Sequence, residues 1–256
     1  MTAAASTGAQ VLPFARVHTR ELLRNKRALM ALLVSFAALP VPFWGIDILI
    51  AAATGSPAGL LRKSLPLIAV TGFMAIALIL TTVQLVTYRS NGVLLQLATT
   101  PARRKAFLLG HVPVRAGILA LEAIVIIAIA IADGIDTGDV GLLAVTLLLG
   151  AAMMLAFGYL LAARMTNPDL ALQLSYIIPM IALFTSGAVF PLEILPEWIT
   201  IVFRALPSTW FVDTLSALFA NSAPSLPIGV NWALMTLFAA GTAYVAVRSH
   251  QWISNE

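Results

Sequence analysis

A single carboxylic acid, Glu122, stands near the middle of the apolar run 112–132 of this 256-residue chain. A charge at the centre of a bilayer costs about 2.5–3.5 kcal/mol on insertion scales, so such a group must face protein or water. Two readings follow. Glu122 lines a solute path, where it attracts a cation or carries a proton, or it is structural, either neutral or paired with Arg115. Arg115 lies seven residues earlier, two turns away on the same helix face. Gln84, Ser175 and Tyr176 are the polar residues of neighbouring apolar runs that would share such a path. The alternative for them is hydrogen bonding within the helix bundle, at about 0.6 kcal/mol each.

Most other chemistry is excluded. There is no cysteine, so no thiol nucleophile, disulfide or thiolate metal site is available. Only three histidines occur, His18, His111 and His250, far apart in sequence, and none falls inside a predicted span. No pair of carboxylates or histidines offers a metal site in the membrane. Ser186-Gly187 follows Phe184-Thr185 and does not complete the Gly-x-Ser-Gly of an intramembrane serine protease, and no base is placed to activate that serine. A Gly-x-x-x-x-Gly-Lys-Ser/Thr loop is absent too, so ATP is not held here by a P-loop. The chain reads as a carrier rather than a catalyst.

The elements that position these residues follow from composition. Hydrophobic residues make up 60% of the chain and charged residues 10%, with a mean hydropathy of +0.96. Soluble domains carry about 25% charged residues, so this is an integral membrane composition. The pI of 9.9 does not signal nucleic acid, because the cations sit at the ends of apolar runs. The expected fold is all-α, a single transmembrane domain over residues 1–256 with six spans. Residues 1–27 form a cytoplasmic tail and an amphipathic interfacial helix, and the spans cover about 28–50, 65–87, 112–132, 140–163, 170–190 and 229–247. The first run is too long for the apolar core of a signal peptide, about 7–15 residues. Pro40 and Pro42 are expected to bend or break it.

With six spans both termini share one side. Placing them in the cytoplasm puts twelve of the 15 Lys and Arg residues inside, leaving Arg62, Lys63 and Arg204 outside. The longest polar interruption, 89–115, holds Arg89, Arg103, Arg104, Lys105 and Arg115 and no acid. Its apolar patch, Val93 to Ala98, is far too short to cross a bilayer, which takes about 20 residues. Thr100-Pro101 then restarts a helix, Thr100 as cap and Pro101 in the first turn. A solvated loop on anionic head groups explains the charge. A docking helix explains both the charge and the patch.

In this segment Arg89-x-x-Gly92, the apolar Leu94, Leu95 and Leu97, then Thr100-Pro101-Ala102-Arg103-Arg104 and Phe107-Leu108-Leu109-Gly110 resemble the cytoplasmic signature of permease subunits of type-2 ABC exporters, of the drug- and antibiotic-resistance kind. Ser90 and Asn91 stand where that family usually has an acid beside the leading arginine. A second segment is similar to the family's external piece after span five. It runs through Ser186, Gly187, Phe190, Pro191, Glu193, Pro196 and Trp198, then Pro207, Trp210 and Asp213. There Leu206 replaces the usual asparagine.

The resemblance implies that Arg89–Arg104 is a coupling helix seated on a separate ATPase, and that 186–213 is a re-entrant hairpin capping the exit before the last span. It implies a bacterial inner-membrane exporter of a hydrophobic or amphipathic solute: a drug, an antibiotic or a lipid. Two ATPase copies would hold ATP and magnesium, leaving no cofactor on this chain, and a second permease, identical or homologous, would complete a dimer in the lipid bilayer. The alternative is a secondary transporter or channel that needs no ATPase; more intramembrane charge than Glu122 alone would be expected of it.

Overall fold

The computed structural model describes residues 7–249 except 25, 27–29, 31–33, 35–37, 39, 57–58, 94–95, 97–98, 100–103 and 221–222. Among the described residues every regular element is helical: α1 (Thr7–Arg24), α2 (Pro40–Thr54), α3 (Leu60–Ser90), α4 (Arg104–Ala132), α5 (Val140–Arg164), α6 (Pro168–Thr185), a 3-10 turn (Leu192–Ile194), α7 (Glu197–Arg204), α8 (Pro207–Ala220) and α9 (Ile228–Ser249). Five of these, α3, α4, α5, α6 and α9, are long and apolar enough to cross a membrane. Helices satisfy their own backbone, which is why they and closed barrels alone cross lipid. The chain is a multi-pass, all-α membrane protein.

The predicted first span is represented by α2, whose 15 residues reach about 22 Å at 1.5 Å per residue, short of the roughly 30 Å hydrocarbon core. Most of 28–39 lies outside the described residues. Pro40 and Pro42 stand in the first turn of α2, where a missing N–H costs nothing. Asp47 then joins α2 to α3. Gly59 precedes α3 without a side chain to cap it, and the Asp47 carboxylate accepts instead from Leu60 N (2.9 Å) and Leu61 N (2.7 Å).

The core lies between α3, α5, α8 and α9, with α4 packed alongside. Phe73, Leu143, Leu147, Phe211, Leu215 and Met235 are fully buried in it, and Phe73 stacks on Phe211 with ring centroids 5.8 Å apart. Broken by prolines and too short to span, the amphipathic pieces of 191–227 must lie at the interface or pack against protein. α8 takes the second course, turning Phe211, Val212 and Leu215 into the bundle. An amphipathic helix pattern does not distinguish a lipid surface from a protein core.

Midway along α3 the helix widens into a π-turn over Leu78–Val83. The Thr81 and Thr82 hydroxyls donate back to Ile76 O (3.0 Å) and Ala77 O (3.1 Å), and Thr82 also reaches Gly158 O on α5 at 2.8 Å. These bonds occupy carbonyls that the wider turn loosens. Gly158 makes the contact possible: a Cβ there would run into the Ala77 carbonyl.

The antiparallel order of the five spanning helices collects their connections at two ends. One carries Arg89–Arg104, the α5–α6 turn and α1; the other carries 133–139 and 186–227.

Candidate functional site

At the basic end Arg89 is not in a surface loop. It sits in the last turn of α3, which runs to Ser90 and not to the expected 87, and is 5% exposed. Its Nη1 donates to Met165 O at 2.5 Å, just where α5 gives way to α6. Asn167 caps α6 there by accepting from Asp169 N and Leu170 N (2.9 and 3.2 Å). Arg89 thus ties the end of α3 to the α5–α6 turn. Gly92 follows with φ 71, a conformation costly for any residue with a Cβ, although open space surrounds it. The chain then turns again, Gln96 N donating to Gly92 O at 3.0 Å. Leu94, Leu95, Leu97, Thr100, Pro101 and Arg103 lie outside the described residues, and Arg104 opens α4.

α1 lies along the start of α4. A Cβ at Gly110 would come within 2.5 Å of Phe14 Cβ, so the two helices touch backbone to side chain there. Phe14 and His18 pack edge-on against Phe107, at 5.6 and 4.8 Å between ring centroids. The fold also brings together two histidines that are remote in sequence, His18 and His111, 5.1 Å apart. His111 belongs to the apolar stretch 109–132 of α4, so the expectation that no histidine lies inside a span is corrected.

A continuous set of hydrogen bonds starts at His111. Arg115 only donates, so its Nη2, 3.1 Å from His111 Nε2, makes that nitrogen the acceptor. The proton then sits on Nδ1, which donates to the Tyr159 hydroxyl at 2.9 Å. Arg115 Nη2 also donates to Gln84 Oε1, Gln84 Nε2 to the Tyr88 hydroxyl (2.6 Å), and Tyr88 to Glu21 Oε1 (2.6 Å). Glu21 Oε2 lies 3.7 Å from His18 Nδ1. Burial, reinforced by Arg115 and opposed by Glu21, holds the His18 imidazole below its ordinary pKa. One network therefore joins α1, α3, α4 and α5. Of its members, the sequence singles out Gln84, as a path residue, and Arg115, as a possible partner of Glu122. The i,i+4 pairs Gln84/Tyr88 and His111/Arg115 were the available signal.

Glu122 is 2% exposed and neither carboxyl oxygen has a hydrogen-bond partner. The pairing with Arg115, one of the alternatives, does not form: Arg115 Nη2 is engaged by Gln84 and His111, about 10 Å away along α4. The carboxyl group instead fills the place that a side chain on Gly72 of α3 would take. Ser175, 3% exposed, bonds back to Ala171 O (2.7 Å), whereas Tyr176 is 60% exposed on the outer face of α6. Gln84 lines a cavity at the basic end. The four proposed path residues do not converge on one conduit within a single chain.

At the opposite end the described segments are tied to one another by hydrogen bonds. α6 stops at Thr185, five residues before the predicted limit, because Ser186 caps it and Gly187 turns the chain at φ 84. Phe190 lies against Phe184 (6.3 Å), and Pro191 leads into the 3-10 turn. Thr200 of α7 donates to Leu192 O at 3.0 Å, while Glu193 and Arg204 face each other at 3.9 Å on the surface. Pro196 precedes α7, Trp198 projects outward 70% exposed, and Pro207 opens α8. Trp210 Nε1 and Thr209 Oγ1 donate to Arg204 O and Phe203 O (2.9 and 2.7 Å), folding α8 back on α7. Asp213 then holds the approach to α9, accepting from Ser225 N (2.8 Å), Leu226 N (3.4 Å) and Asn231 Nδ2 (2.8 Å). It serves as a clasp in this arrangement.

Comparison with known proteins agrees with this architecture. The family model described as ABC-2 family transporter protein matches residues 50–248, from the end of α2 to the end of α9. No curated protein matches the chain. A match over well more than half of the sequence, on a bundle with these spanning helices, shows that the chain belongs to the ABC-2 transporter family as a membrane subunit of an ABC transporter.

Proposed function

We propose that this subunit is the permease of an ATP-driven exporter in a bacterial inner membrane, with both termini in the cytoplasm. It moves a hydrophobic or amphipathic solute outward between two permeases, identical or homologous. ATP and magnesium are bound by two copies of a separate ATPase seated against the basic end.

The observation that carries this reading is the anchorage of the basic segment. Arg89 fixes its start to the Met165 carbonyl, and Arg104 continues it directly into α4. A push on the segment is thereby delivered to α3, α4 and the α5–α6 turn together. α1, packed on α4 through Gly110, moves with them. When the ATPases close, the bundle shifts and the solute leaves past 186–213. Such coupling requires the docked segment to differ in free energy between two states.

The test is a mild-detergent pull-down of the tagged chain from its native membrane, with partners identified by mass. Stoichiometric recovery of a P-loop ATPase, lost in Leu95→Asp, supports the proposal. Recovery of the chain alone, still active in transport, would make it a secondary transporter or channel.

A further inference from the structure

A cavity of about 250 Å³ opens between α1, α3 and the start of α4, at the basic end of the bundle. Leu22, Ile79, Leu80 and Val83 form its apolar wall, three of them from the π-turn of α3. π-turns inside α-helices are frequent at functional sites. The polar wall holds one permanent cation, Arg115, and one carboxylate, Glu21.

These two charges face the same space, yet among the described residues no ion pair joins them. They are linked only through Gln84 and Tyr88. Arg115 is 2% exposed, and its Nε and Nη1 have no partner. A buried guanidinium with unmet donors is costly unless an acceptor reaches it. Glu21 is half-exposed at the other side, its Oε2 3.7 Å from His18 Nδ1. The volume lies below that of pockets for drug-sized molecules, about 300–1,000 Å³, and suits a head group with the first part of a chain.

The geometry points to a binding site for a zwitterionic amphiphile, its anionic group on Arg115, its ammonium on Glu21 and its tail against Leu22, Ile79, Leu80 and Val83. A phosphate-and-ammonium head group has this chemistry, whether it belongs to a membrane phospholipid or to a transported solute. A net anion would satisfy Arg115 but meet the Glu21 carboxylate, and a net cation would do the reverse.

The experiment is native mass spectrometry of the full-length chain in mild detergent, titrated with lysophosphatidylethanolamine and lysophosphatidylglycerol of equal chain length. The wild type is expected to retain one lysophosphatidylethanolamine, with about tenfold preference over the anionic probe. Glu21→Gln, a partly exposed and conservative change, should bring the probes to parity. Val83→Phe, which fills the cavity without touching either charge, should abolish retention of both. The source is read from the same protein as isolated. A co-purified ammonium-bearing phospholipid, one per chain, marks a resident lipid. A chain isolated empty that binds dihexanoylphosphatidylethanolamine saturably marks a transported zwitterion. Equal binding of the two probes by the wild type, or a preference unchanged in both variants, would overturn the assignment.

Discussion

The Glu122 carboxyl group on α4 occupies the notch left by the absent side chain of Gly72 on α3. The acid is nearly buried and unpartnered, and what it meets across the helix pair is backbone. Gly72→Ala is expected to push the two helices apart, at a cost of about 1–3 kcal/mol for overpacking, seen as a lower melting temperature in detergent. Glu122→Gln keeps the shape and should leave melting temperature and transport within error. Loss of transport in that variant with an unchanged melting temperature would mean that the carboxyl takes part in moving the solute.

Gly110 poses the same kind of constraint on α1, whose Phe14 leaves no room for a side chain at that position. Gly110→Val should lift α1 from α4, exposing Phe14, Phe107 and His18 together. Limited proteolysis after Arg16, Arg20 or Arg24 would report this as at least a severalfold faster cleavage. An unchanged rate would show that α1 is held elsewhere.

His18 makes the seating of α1 sensitive to pH. Its folded pKa lies below the ordinary 6.5, chiefly through burial, so the unfolded or undocked form binds the proton more readily. Stability from His18 is therefore complete above 6.5 and declines as the pH falls through the folded value. The same cleavage assay should show α1 released progressively below about pH 6.5, and His18→Phe should flatten that dependence. A faster release on raising the pH would contradict the sign.

Asp213 gathers two backbone N–H groups and the Asn231 amide. Asp213→Ala should cost about 1–2 kcal/mol, as for loss of a capping carboxylate, and loosen the join between α8 and α9. Asp213→Asn should recover part of it. Hydrogen exchange at Ser225 and Leu226 would rise in the alanine variant, whereas unchanged protection would remove the clasp from the account.

Much of the bundle could be read from the chain alone. The spans of α4, α5 and α9 follow from apolar runs with few charges, and membrane crossing leaves no other structure for such runs. The limits that moved did so for local reasons: Ser186 and Gly187 end α6 early, and Arg89 extends α3 because burial on the α5–α6 turn satisfies it. What could not be read depended on neighbours distant in sequence. Asp47 looks like a stray acid near an apolar run until Leu60 and Leu61 turn their N–H groups to it. Arg115 shares a helix face with Glu122, but Gln84 from another helix competes successfully for it. α8 carries an apolar face that would suit lipid equally well, and only Gly150, whose missing side chain admits the Phe211 ring, shows that it belongs inside.

In the proposed mechanism force enters through the basic segment between α3 and α4. ATP-driven accumulation of a hydrophobic fluorescent solute, in inverted membrane vesicles containing the chain and its ATPase, reads this step. Leu95→Asp should abolish accumulation while the chain remains inserted at wild-type levels, and Gly92→Val should do the same through its backbone conformation. Full ATP-driven accumulation in both variants would contradict the account, because the segment would then not be the element that couples hydrolysis to transport.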